Sequence, residues 1–113
     1  MRRGEIWTVA GGGAYVGKPR PAVIVQDDRF DATGSLTICA FTSDPTRAPL
    51  FRLLIRPTER NRLKAPSRLM VDKLTTVPKS RLGTQVGILG DEDMLRLNRA
   101  IVVFLGLAGS SPD

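Results

Sequence analysis

Histidine is absent from these 113 residues, and cysteine occurs once, as Cys39. The first absence removes the commonest metal ligand and the usual proton shuttle near neutral pH. The second rules out an internal disulfide and a thiolate set for structural zinc. Any catalysis is left to Asp, Glu, Arg, Lys, Thr, Ser or Tyr. Long apolar runs are missing too. No segment approaches the roughly 20 residues of a membrane span, and Met1-Arg2-Arg3-Gly4-Glu5 is not followed by the apolar stretch of a signal peptide, so a cytoplasmic protein without membrane contact is expected. Acidic residues are outnumbered: 11 Asp and Glu stand against 17 Lys and Arg, for a net charge of +6. That balance suits an anionic partner such as nucleic acid, an acidic protein or a membrane surface, without naming a chemistry.

What is present reads as one small domain. The 11 glycines and 8 prolines are spread along the chain and favour short strands joined by turns. Glu5 to Val9 alternates at period two, with Ile6 on one face and Trp7 on the other. Gly11 to Gly17 reads as a mobile loop, Pro21 to Gln26 as a second strand, Asp27 to Gly34 as a turn and Leu36 to Thr42 as a third strand. Leu50 to Ile55 is a fourth, Pro57 to Pro66 an exposed basic connection, Ser67 to Leu74 a fifth strand and Gln85 to Leu89 a short sixth. From Asp91, read as an N-cap, Met94, Leu97, Ile101, Phe104 and Leu105 fall on one helical face that Gly106 stops. The pattern predicts a mainly β (α+β) domain over 1–109, a small SH3-like β-barrel closed by a C-terminal α-helix, with 110–113 as a disordered tail.

The segment Gly17-Lys18-Pro19-Arg20-Pro21-Ala22-Val23-Ile24-Val25 holds an arginine between two prolines at the mouth of a β-branched run. Proline restricts its own φ and biases its predecessor towards extended backbone, so Arg20 is presented from a stiff segment. A guanidinium fork matches phosphate oxygens and stays charged at physiological pH. Gly12 to Lys18 fits G-x-x-x-x-G-K, but Pro19 stands where a magnesium-binding hydroxyl belongs and a strand follows instead of a helix. Asp27, Asp28 and Asp31 lack calcium-loop spacing and read as turn residues. Thr42 and Ser43 end the third strand with two adjacent hydroxyls. Asp72 interrupts an apolar strand between Val71 and Lys73, either satisfied by a neighbouring cation or functional with an altered pKa.

Arg3-Gly4-Glu5-Ile6-Trp7, Arg20-Pro21-Ala22-Val23-Ile24-Val25, the Thr42-Ser43 strand end, Pro66-Ser67-Arg68-Leu69-Met70-Val71-Asp72 and the closing helix together resemble the MazF/PemK toxin family, over nearly the whole chain. The resemblance implies a homodimer, a sequence-specific endoribonuclease that cleaves single-stranded RNA at short sequences without metal or other cofactor. It also implies silencing by the acidic C-terminal segment of a MazE-like antitoxin, with DNA met only indirectly through that complex. It assigns catalysis to Arg20 and to Thr42 and Ser43, and puts Asp72 where some members carry a general base. Members of the PemK branch have an arginine two residues before that aspartate, where this chain has Met70, and a histidine in the first loop, so their acid–base assignment does not transfer whole. Arg20 best fits stabilisation of a phosphorane formed by attack of the ribose 2′-hydroxyl, which leaves a 2′,3′-cyclic phosphate and a 5′-hydroxyl. Thr42 and Ser43 would donate to the same phosphate. Asp72 would act as base or orient Arg20 or a base edge. Arg3, Tyr15, Lys18, Met70 and Lys73 are expected to contact RNA, Tyr15 by stacking. Two alternatives stay open: a same-fold toxin that poisons gyrase, whose terminal-helix tryptophan this chain lacks, and a noncatalytic nucleic-acid-binding barrel.

Overall fold

The computed structural model describes residues 1–11 and 18–109. Alternation in the first strand, β1 (Glu5–Val9), sends Ile6 into the main core and Trp7 against a second, smaller one. β2 (Arg20–Ile24), β3 (Ser35–Thr42), β4 (Arg52–Ile55), β5 (Ser67–Met70), β6 (Thr75–Pro78), β7 (Leu82–Ile88) and the helix α1 (Asp91–Phe104) follow in order. No helix among the described residues is long and apolar enough to cross a membrane.

Every strand pairing is antiparallel, in the order β4-β5-β3-β2-β1-β7, with β6 beside β3. The expected mainly β domain with a C-terminal helix is present, but the sheet is open: β4 and β7 end the path without pairing to each other. Within it β3 is shared along its length. Its first half pairs β6 through Leu36↔Val77, while its end pairs β5 through Phe41↔Leu69. Helix α1 covers the main core instead of a closed barrel wall, burying Leu97 and Ala100 beside Ile6, Val23, Phe41 and Leu69.

Three expectations are corrected locally. The run Ser67 to Leu74 is not one strand: β5 stops at Met70, and Val71–Lys73 forms a turn of 3-10 helix that keeps Val71 buried. A strand not anticipated, β6, occupies Thr75–Pro78. The helix is capped by Gly90, placing Asp91, Glu92 and Asp93 in its first turn, where negative charge complements the N-terminal dipole. Its stop at Gly106 is a Schellman motif, in which Leu107 N donates to Val102 O (2.8 Å), Gly106 N donates to Val103 O (3.1 Å), and Gly106 takes φ +75°. The connection 57–66 exposes Arg60, Arg62 and Lys64 as expected, but is built around a fully buried Asn61. The Asn61 side chain accepts from Thr58 N (2.9 Å) and Leu63 N (3.0 Å) and donates to Arg56 O (2.9 Å).

Candidate active site

The site is assembled by register. β2 and β3 pair through Ala22↔Ala40, Val23↔Cys39 and Ile24↔Ile38. Carrying that register two residues further sets Arg20 across from Thr42. Directly opposed residues share a sheet face, and alternation from Ala22 and Ala40 places both on the face of the smaller core. Arg20 is exposed at the first rung of β2, opposite Val9. On the other side of β3, Thr42 is paired with Arg68 of β5. Arg20, Thr42 and Arg68 thus form a row across three adjacent strands. One rung along, Arg52 of β4 faces Met70 of β5.

Local bonding defines the strand end. Thr42 Oγ1 accepts from Asp44 N (3.1 Å), and Asp44 Oδ1 accepts from Thr46 N (2.9 Å) and Thr46 Oγ1 (2.6 Å). These bonds from Thr46 hold the Asp44 carboxyl below its ordinary pKa. Ser43, between them, is exposed.

Asp72 lies in the 3-10 turn beyond β5 and faces Arg52, not Arg20. Arg52 Nε donates to Oδ1 (2.7 Å) and Nη2 to Oδ2 (3.0 Å), a bidentate pair whose side chains are only 12% and 20% exposed. The hydrogen bonds from Arg52 hold the Asp72 carboxyl below the usual carboxylate range, against the opposing effect of burial. A carboxylate so stabilised is a weak base near neutral pH. Its environment is that of an anchored anion.

The remaining expected residues separate. Lys18 and Lys73 are exposed, and Met70 is half-buried opposite Arg52. Arg3 is tied into the fold: Nε donates to Val25 O (2.8 Å) and Nη2 to Asn98 Oδ1 (2.6 Å), linking the start of β1 to α1. Tyr15 lies outside the described residues, as does most of the first loop. Asp28 accepts from Arg3 N (2.6 Å), and Asp27 accepts from Arg29 N (2.8 Å) at the head of a 3-10 turn, the structural roles expected of that acidic stretch. Cys39 is buried, which pushes its thiol up to about 12 and leaves it inert as a nucleophile. Sequence reading missed Arg52 and Arg68. Alternation was their only signal, and it becomes informative once β4, β5 and β3 are known to be neighbours.

The fold and this face define a class: a small antiparallel domain presenting arginines and hydroxyls from neighbouring strands. The chain belongs to the PemK-like, MazF-like toxins of type II toxin–antitoxin systems, whose family model matches residues 2–105. It is 57% identical over 109 residues to the probable endoribonuclease MazF of Mycolicibacterium smegmatis, covering 96% of this chain and 100% of that protein. Two solved structures share the fold. One is an endoribonuclease in complex with its cognate antitoxin from a mycobacterial species, at TM-score 0.76 and 21% identity, covering 99% of each chain. The other is a MazE–MazF complex from Deinococcus radiodurans, at TM-score 0.77 and 18% identity, covering 94% of this chain and 96% of that one.

Proposed function

We propose that this toxin is an endoribonuclease that cuts single-stranded RNA by attack of a ribose 2′-hydroxyl on the adjacent phosphate. The bond to the 5′-oxygen breaks, leaving a 2′,3′-cyclic phosphate and a 5′-hydroxyl. The observation that carries this reading is the β2–β3 register, which, carried two residues past Ala22↔Ala40, sets Arg20 across from Thr42. The Arg20 guanidinium clamps the developing charge on the phosphorane, and the hydroxyls of Thr42 and Ser43 donate to its oxygens. The 2′-oxygen loses a proton and the leaving oxygen gains one; at this open rim solvent completes the balance. Asp72 acts one step removed, orienting Arg52. The names of the relatives, an endoribonuclease MazF among them, point the same way.

The same reading gives the toxin two protein partners. One is an antitoxin whose acidic segment neutralises the basic face. The other is a second copy of the chain, seated on the apolar end of α1, where Val103 (52% exposed), Leu105 (53%) and Leu107 (69%) leave a patch no other described element covers.

The deciding experiment is cleavage of a long transcript in EDTA by the wild type and by Arg20→Ala. The wild type should yield defined fragments with 5′-hydroxyl ends, and the variant should be slower by on the order of 10²-fold with an unchanged circular dichroism spectrum. Intact RNA shifted on a gel would favour the noncatalytic reading, and undiminished cleavage by the variant would remove Arg20 from the mechanism.

A further inference from the structure

At Arg68 the surface sinks into a cavity of about 200 Å³ between β4, β5, α1 and the β3–β4 loop, and four of its lining residues are Arg47, Arg52, Arg68 and Arg96. Like charges gather at such density only where counter-charges or a ligand offset their repulsion. Two of the four are answered within the fold. Arg52 is clamped by Asp72, and Arg96 Nη1 donates to Asp93 Oδ1 (2.9 Å) and Leu54 O (3.0 Å). Arg47 and Arg68 form no ion pair among the described residues. Asp44 lies close enough for Arg52 and Arg68 to act on it through space, but its Oδ1 is engaged by Thr46. Two guanidinium forks therefore face a recess whose other arginines are held rigid. Its volume is below the roughly 300 Å³ at which small-molecule pockets begin, so it suits one group rather than a whole molecule.

Position identifies the group. Arg68 is the cross-strand partner of Thr42, so one lining residue of the cavity is a strand neighbour of a residue assigned to the reacting phosphate. Arg20 and Arg68 stand two inter-strand spacings apart, about 10 Å of backbone separation on one face. A polyanion lying across the strands meets one and then the other. We infer that the cavity lined by Arg47, Arg52, Arg68 and Arg96 is a second phosphate subsite, holding a phosphodiester of the RNA that flanks the one cut at Arg20 and Thr42. This rests on the reading of the chain as an RNA-cleaving toxin. Asp72 then serves binding: by fixing Arg52 it sets the floor of the subsite.

The test is binding of a random-sequence, fully 2′-O-methylated oligoribonucleotide, which has no free 2′-hydroxyl to react, measured against salt concentration. Arg68→Ala and Arg47→Ala should each weaken affinity by roughly 3- to 10-fold at moderate salt and lower the slope of log K against log salt by about 0.7, the value for one single-strand phosphate contact. Arg47 sits in an exposed loop, so its variant remains informative if Arg68→Ala fails to fold. Arg68→Lys should keep the slope while recovering only part of the affinity, since the charge remains and the fork is lost. Unchanged affinity and slope in the foldable variants would overturn the subsite. So would weakened binding of a glutamate-rich peptide with RNA binding intact, which would assign the cavity to an acidic protein segment. Cleavage of unmodified RNA is scored separately: if no form of the protein cuts RNA yet the arginine variants lose affinity and slope, the subsite stands and the nuclease reading falls.

Discussion

At the scale of single residues, Asp72 and Arg52 explain each other. An arginine on β4 and a carboxylate past the end of β5 meet in two parallel hydrogen bonds, a geometry that fixes both planes. The folded-state pKa of Asp72 is depressed, so the pair stabilises the protein above the ordinary carboxylate pKa of about 3.9, and that stabilisation is lost as pH falls through the lower folded value. Asp72→Asn should cost about 1–2 kcal/mol in urea unfolding at pH 7, between the values for exposed and buried pairs. The difference from wild type should hold constant down to about pH 5 and shrink only below about pH 4. The same variant discriminates the roles of Asp72 in cleavage. An anchored anion leaves the shape of the pH–rate profile unchanged down to about pH 3, whereas removal of a general base abolishes the acid limb, which the depressed pKa of Asp72 places below about pH 4. Asp72 was legible in the sequence as an oddity, a charge in an apolar run. Its partner was not, because Arg52 lies 20 positions away and becomes its neighbour only through the β4–β5 pairing.

Among elements, the clearest constraint is where β7 passes the backbone of the loop 57–66. A Cβ added at Gly87 would stand 2.7 Å from Arg60 O and 2.6 Å from Asn61 C, both backbone atoms that cannot rotate away, while Ile88 N donates to Arg60 O at 3.0 Å. Gly87→Ala should therefore destabilise by about 1–3 kcal/mol through overpacking, read as a lower denaturant midpoint at unchanged m-value. Gly90→Ala, at a position with open space around it, should not reproduce that strain, although it loses a favourable N-cap residue. Strands with strong alternation or a β-branched core were readable: β1 matched in full, and β2, β3 and β4 to within about two residues, the usual uncertainty of such boundaries. β6 was not, since Thr75–Pro78 buries only Val77 and ends in proline, and its pairing to β3 supplies what its own pattern lacks. β5 was overextended because Val71 is as apolar as a strand residue should be. The 3-10 turn satisfies that apolarity while turning the chain.

For the whole molecule, charge and apolar surface meet at α1, where Arg96 lines both the arginine cavity and the neighbouring hollow that reaches Val103. The arginines from β2, β4 and β5 gather on one face, and the last turns of α1 expose Val102, Val103, Phe104 and Leu105. Phe104 makes a tilted contact with Phe51, ring centroids 6.1 Å apart, which ties the end of α1 to the residue before β4. If the apolar end of α1 seats a second copy, Val103→Asp should convert a dimer to a monomer in sedimentation equilibrium while the unfolded fraction stays unchanged; a variant that remains dimeric would place the interface elsewhere. Such a dimer would bring two basic faces into one particle, and RNA affinity should fall on dissociation.

Composition and local order by themselves determined that the domain is basic, short-stranded and ended by one amphipathic helix, and that Arg20 is held in a stiff approach to a strand. Those properties come from residue types and from periods of two and 3.6, which are local. Tertiary structure decided which charges cooperate. Only the shared strand β3 brings Arg20, Thr42 and Arg68 into one row, and only the pairing of β4 with β5 gives Asp72 an arginine to hold, because contacts between residues tens of positions apart depend on strand order and register.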